Sequence, residues 1–137
     1  MKNIFVDTNI IIDLLSNRKP HSKFAVALFE KAESKKVKLF VSSLSFATTH
    51  YVLKKYVNEK DLRAILSDLL DFVHVIPIDS HMIKRGLISK HPDFEDALQM
   101  VAALSVDKMD CIVTRDLKHY KDSDVPVFSP DSVLKKL

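Results

Sequence analysis

Glycine is almost missing from this chain: Gly86 stands alone among 137 residues. A dinucleotide fingerprint or a phosphate-cradling loop needs several glycines at fixed spacing, so composition excludes both. Cysteine is equally scarce. Cys111 has no partner in the chain, which rules out an intrachain disulfide framework and favours a reducing, cytoplasmic setting. Its apolar neighbours read it as a small buried hydrophobe. No run reaches the roughly 18 apolar residues that a membrane-spanning helix needs. The chain enters a strand at once and meets an acid at Asp7, where a signal peptide needs an unbroken apolar stretch, so neither a targeting segment nor a membrane partner is expected. Charge of one sign is in short supply too. Lys and Arg number 21 against 18 Asp and Glu, and the net +3 suits a polyanionic partner without demanding one.

What is present is the composition of a globular protein, 47% hydrophobic and 28% charged, at a length suited to one domain spanning 1–137. Lys2 to Val6 is a short run rich in β-branched residues, read as a strand buried on both faces. It halts at Asp7, and Ile11, Leu14 and Leu15 then recur at helical spacing. The alternation continues. A helix is expected from Ser22 to Ser34 with Phe24, Ala27, Leu28 and Ala32 inward, then a strand over Val37 to Val41. Ser42, Ser43 and Ser45 open a helix with Leu44, Ala47, Tyr51 and Val52 behind them. Another begins near Glu59, its stripe of Leu62, Ile65, Leu66, Leu69 and Leu70 read as core or as part of a dimer or inhibitor surface. Val73 to Ile78 is a third strand, and Asp79 or Ser80 caps a helix to about Lys90 in which Gly86 is a mild defect. A helix from Asp93 to about Val106 turns Phe94, Ala97, Leu98, Val101 and Ala102 inward. Strands at Cys111 to Thr114 and Val125 to Phe128, and a helix opened by Ser129-Pro130, complete the chain. Strands alternating with helices predict an α/β fold around a mainly parallel sheet of four to five strands.

Three acids fall where such a fold gathers ligands, at the carboxyl edge of the sheet. Asp7 ends strand one, Asp116 follows strand four, and Asp96 lies in the first turn of the Asp93 helix. Neighbouring strands one and four would bring Asp7 and Asp116 together. Crowded carboxylates raise each other's pKa, and a hard cation relieves the conflict. Oxygen ligands without His or Cys point to Mg²⁺ or Mn²⁺, not zinc. Plainer readings stand beside these. Asp7 suits a helix cap, Asp96 the positive end of a helix dipole, Asp93 a cap, and Asp116 the start of a short helix through Leu117 to Tyr120. Asp13 reads as surface or as support for the site. Among the basic residues, Arg115 and Lys118 stand nearest the acids and are the candidates for RNA phosphates.

Asp7-Thr8-Asn9 after the opening strand, Glu95-Asp96-Ala97 opening a late helix and Val113-Thr114-Arg115-Asp116 closing a strand resemble, in order and spacing, the PIN domain. The likeness is greatest to small VapC-like toxin ribonucleases. It implies a three-layer α/β/α sandwich and Mg²⁺- or Mn²⁺-dependent endonucleolytic cleavage of RNA by metal-activated water. It also implies a toxin role with a cognate antitoxin partner, and a homodimer as a further candidate assembly. Asp7, Asp96 and Asp116 match the family's acidic positions, and Asn9 and Thr114 match the polar residues that support them. One departure is plain. The family commonly places a Glu in the helix after strand two, and Thr48 stands here. Glu95 is the candidate to supply that charge, and the alternative is a catalytically impaired PIN domain that binds RNA or protein.

Overall fold

A computed structural model describes residues 2–137. The strands are β1 (Lys2–Val6), β2 (Val37–Ser42), β3 (Val73–Ile76), β4 (Cys111–Val113) and β5 (Val127–Phe128). The helices are α1 (Thr8–Ser16), α2 (Ser22–Glu33), α3 (Ser43–Leu53), α4 (Glu59–Leu69), α5 (Ser80–Ile88), α6 (Phe94–Leu104) and α7 (Pro130–Leu134), with a 3₁₀ turn at Leu117–Tyr120. All pairings are parallel and the strand order is β3-β2-β1-β4-β5. The central strand therefore has β2 on one side and β4 on the other, and the crevice between β1 and β4 is the topological switch point where ligands enter such sheets.

Alternation along β1 sets the layers. Ile4 and Val6 face one core with Leu39, Val113 and helices α1, α2, α4 and α7. Phe5 faces the other with Ile112 and with Ala102 and Ala103 of α6. All three β1 side chains are fully buried, and each such side chain contributes about 1.5–3 kcal/mol. The α/β/α sandwich expected from the sequence is thus the observed fold. Among the described residues no helix is long and apolar enough to cross a membrane.

Several boundaries and faces differ from expectation. β3 ends at Ile76 because Pro77 has no N–H to continue the ladder. α6 ends at Leu104, where the Ser105 hydroxyl bonds the Ala102 carbonyl at 2.6 Å. On α2 the inner stripe is Ala25, Leu28 and Phe29, with Phe24 and Ala27 only half-buried. On α3 the buried residues are Ser45, Thr49 and Leu53, while Ala47 and Tyr51 face solvent. Phe94 and Leu70 are exposed as well. Gly86 is more than a defect. A Cβ there would stand 2.9 Å from Leu98 Cδ2, so its absence lets α5 lie close against α6, the helix that carries Asp96.

Candidate active site

Asp7 is fixed by the end of the strand that precedes it. Its N–H donates to the Val113 carbonyl at 3.0 Å, continuing the β1–β4 ladder one step past Val6. Its backbone is extended and it caps α1, with Oδ1 accepting from Thr8 N at 2.8 Å and Oδ2 from the Thr114 hydroxyl, also at 2.8 Å. The cap reading and the site reading therefore describe one residue. Burial pushes its carboxyl pKa up, more than the bonds from Thr114 and Thr8 pull it down, and the charge of Asp116 adds to the rise.

Thr114 is the node that joins the two strand ends. Its oxygen donates to Asp7, accepts from Asn9 Nδ2 at 3.2 Å and accepts from Asp116 N at 3.0 Å, which uses its one proton and both lone pairs. Asn9 Nδ2 also donates to Asp116 Oδ2 at 3.3 Å, and Asn9 Oδ1 accepts from Arg115 N at 3.3 Å. Thr114 thus bonds Asp7 and the Asp116 backbone, while Asn9 bonds Thr114 and Asp116 and not the Asp7 side chain.

Of the two readings of Asp13, the surface one fails, since the residue is 1% exposed. Arg115 holds it with a fork, Nε to Oδ2 at 2.6 Å and Nη2 to Oδ1 at 3.1 Å, while Arg18 lies 3.9 Å away. The guanidinium that the sequence offered to phosphate is engaged inside the protein, anchoring the turn that presents Asp116. Lys118 instead lines a cleft of about 320 Å³ with Asp96, His91, His119 and Lys121.

Asp96 lies one turn into α6, its N–H bonded to the capping carboxylate of Asp93 at 2.9 Å. Burial, then the charges of Asp93 and Asp7, raise its pKa from 3.8 to about 6, against the opposing charges of His119 and His91. The sign follows directly. Between about pH 4 and pH 6 the folded state keeps a proton on Asp96 that the unfolded chain has lost, so metal-free protein loses stability as pH rises through that window. Thermal melts across it are expected to show this slope in wild type and a shallower one in Asp96→Asn, where Asp7 alone of the pair still carries a raised pKa.

His119, legible only as one more basic residue near Lys118, and Gln99 and Tyr120, which escaped the sequence reading, complete the surroundings. His119 Nδ1 lies 3.1 Å from Asp96 Oδ2 and 3.9 Å from Asp116 Oδ2. Gln99 is a buried amide at the centre of a polar knot. Its Nε2 donates to Thr8 Oγ1 and Ser45 Oγ, each at 2.9 Å, and approaches Asp7 Oδ1 at 3.5 Å, while its carbonyl accepts from Ser42. Tyr120 is 1% exposed, faces Asp7, and has a hydroxyl that makes no well-formed hydrogen bond. Burial and the charges of Asp7, Asp96 and Asp116 push its pKa far up, so it stays a protonated donor. The hydroxyl is close enough to Asp7 to help hold that carboxyl's pKa down, so Tyr120→Phe is expected to raise the Asp7 pKa further, as read by NMR titration of the metal-free protein.

Among the described residues, no three His, Cys, Asp or Glu side chains are drawn tightly enough to ligate one ion. Their chemistry nevertheless suits a hard cation. The donors are oxygens, burial and neighbouring acids raise the pKa values of Asp7 and Asp96, and the buried Tyr120 hydroxyl, without a well-formed hydrogen bond, faces Asp7. Cys111 is remote from this chemistry: buried beside Asp110, its thiol is pushed up to about 11 and is inert.

The PIN domain family matches residues 3–118. The chain belongs to the PIN domain family. Ribonuclease VapC1 of Aquifex aeolicus (strain VF5) is 23% identical to this PIN domain over 141 residues, 98% of this chain and 95% of that protein. One chain of the VapBC2 complex from Rickettsia felis, bound to a DNA fragment from its promoter, superposes with a TM-score of 0.64 at 16% identity, covering 93% of this chain and 97% of that one. One chain of a toxin–antitoxin complex from Klebsiella pneumoniae gives 0.65 at 24% identity over 93% and 97%. At these identities the structural likeness establishes the fold. At position 48, where the resemblance leads one to expect a Glu, the hydroxyl of Thr48 donates to Glu95 Oε1 at 3.2 Å.

Proposed function

We propose that this PIN domain is a Mg²⁺- or Mn²⁺-dependent endoribonuclease and the toxin of a toxin–antitoxin pair. The observation that carries the reading is the interlock of Asp7, Thr114, Asn9 and Asp116 across the β1–β4 crevice, with Asp96 facing it from α6. Two relationships support it. The relative from Aquifex aeolicus is a ribonuclease, and the structural neighbours come from toxin–antitoxin assemblies. A cognate antitoxin is accordingly the expected partner.

Asp7, Asp96 and Asp116 would hold the cation. When bound, it would acidify water and offset charge on the scissile phosphate. Everything else falls to the chain. Thr114 and the Thr8 amide fix the Asp7 carboxylate, and Asn9 fixes that of Asp116, so the oxygens are oriented before substrate arrives. Gln99 seals the floor and keeps bulk water from Asp7. Lys118, at the mouth beside Asp96, is placed to meet a neighbouring RNA phosphate.

A panel of labelled structured RNAs, incubated with the purified protein and Mn²⁺, tests the reading. Cleavage that EDTA stops, with 5′-phosphate termini, is expected from attack by water. Products ending in a cyclic phosphate would assign the attack to the ribose hydroxyl and contradict it. RNA that is retained but uncut would favour the binding-module reading, which Thr48 at the departure position recommends.

A further inference from the structure

We propose that His91 is a positioning residue of the candidate nuclease site. Its ring, held in one tautomer, ties the 3₁₀ turn to the start of α6 and so sets where the His119 side chain meets Asp96. The inference rests on the nuclease reading above and adds to it a residue outside the acids.

Both nitrogens of the His91 ring are engaged by backbone groups. Nδ1 accepts from Asp93 N at 3.0 Å, and Nε2 lies 2.6 Å from the His119 carbonyl oxygen. A backbone N–H can only donate and a carbonyl can only accept. The partners therefore dictate the ring's proton: Nδ1 is bare, Nε2 carries the hydrogen, and the imidazole is neutral. Only this form satisfies both contacts.

The bonds close a circuit. Asp93 N–H donates to His91, and His91 donates to the carbonyl of His119. His119 Nδ1 stands 3.1 Å from Asp96 Oδ2, and Asp96 N–H returns to the Asp93 carboxylate at 2.9 Å. His91 and His119 are 28 residues apart in sequence. They belong to opposite walls of the 320 Å³ cleft, with Asp93 and Asp96 on one side and Lys118 on the other. The walls are thus joined twice, once through a backbone carbonyl and once through the carboxylate of a site residue.

The plainer explanation is a staple that the fold requires. Each wall, however, has an anchor of its own. Tyr120 is 1% exposed and packs the turn into the core with Phe5 and Ile112, while Asp93 caps α6. His91 sits in a segment without regular structure between α5 and α6, and its ring holds the walls to each other. With the backbone at 119 fixed in this way, a half-exposed histidine is kept beside Asp96 and within 3.9 Å of Asp116 Oδ2.

One spectrum and two variants of the full chain test this. In metal-free wild type, a ¹⁵N–¹H correlation spectrum of the imidazoles should show the His91 proton on Nε2. Asparagine puts an acceptor where Nδ1 stands, and glutamine puts an N–H donor where Nε2 stands, so each keeps one half of the tie. His91→Gln should leave the His119 ring resonances and Mn²⁺-dependent RNA cleavage close to wild type. His91→Asn should shift those resonances and lower cleavage by about tenfold or more, the scale set by outer partners of a metal site. Both should melt near the wild-type temperature. A role confined to the local turn at Asp93 predicts the reverse order. Asparagine that matches or exceeds glutamine, a His91 proton found on Nδ1, or His91→Asn that no longer folds overturns this inference alone. Wild type that cuts no RNA with Mn²⁺ overturns the nuclease reading with it.

Discussion

Asp7→Asn is expected to yield a folded protein that has lost both Mn²⁺ binding and RNA cleavage. The amide keeps the shape of the carboxylate and can still accept from the Thr8 amide, so the cap on α1 survives. The charge that a hard cation requires does not. Perturbing a residue that merely orients a metal ligand typically costs about 10–100-fold in affinity or activity, and replacing a ligand should exceed that. Stability should move the other way. Burial raises the Asp7 pKa by more than its hydrogen bonds lower it, so at neutral pH the charged form is held against its preference. Without metal, Asp7→Asn should melt at or above the wild-type temperature. Loss of activity accompanied by unfolding would assign Asp7 to the fold instead of the site.

Arg115→Ala is expected to be the most destabilising single change near the site. It strands the Asp13 carboxylate, 1% exposed, with only Arg18 at 3.9 Å to answer its charge. Removing one partner of a buried pair costs about 3–5 kcal/mol, and Arg18 places the expected value near 3 kcal/mol, a fall of roughly 10 °C in melting temperature for a domain of this size. Arg115→Lys should recover little, because an ammonium cannot reproduce a bond to each carboxylate oxygen. Replacing both partners with apolar residues should recover most of it, since no charge is then left buried. Thermal or urea melts of the three variants check the order. Arg115→Ala as stable as wild type, but with weaker RNA binding, would return Arg115 to the phosphate role suggested by its place in the sequence.

The sequence spoke most clearly where one residue type had one physical use. A β-branched run ending at an acid could only be a buried strand delivering a carboxylate to the sheet edge, and Asp7 is there. Asp116 was legible in the same way, just past the fourth strand, whereas Asp96, in the first turn of a helix, was legible only through its family resemblance. Hydrophobic spacing failed on α3, because the helix turns Ser45 and Thr49 inward, and a reading that sends polar residues outward rotates it the wrong way. The hidden reason lies 54 residues away in sequence, where Gln99 satisfies Ser45. Tyr120 carries no local signal and His119 only that of a basic residue, since each matters through a partner that only the strand order brings near. The choice between surface and support for Asp13 stayed open for the same reason: its partner Arg115 is 102 residues distant. One signal was available for Gln99, a lone amide within the apolar run from Ala97 to Ala103, where a buried polar group demands partners.

The claim on which the rest depends is that Asp7, Asp96 and Asp116 hold one cation between them. Titrating Mn²⁺ calorimetrically into wild type and into Asp7→Asn, Asp96→Asn and Asp116→Asn tests it most directly. Saturable binding in wild type that collapses in all three variants is the predicted result. Wild type that takes up no Mn²⁺ even at millimolar concentration, or variants that bind as wild type does, would contradict it.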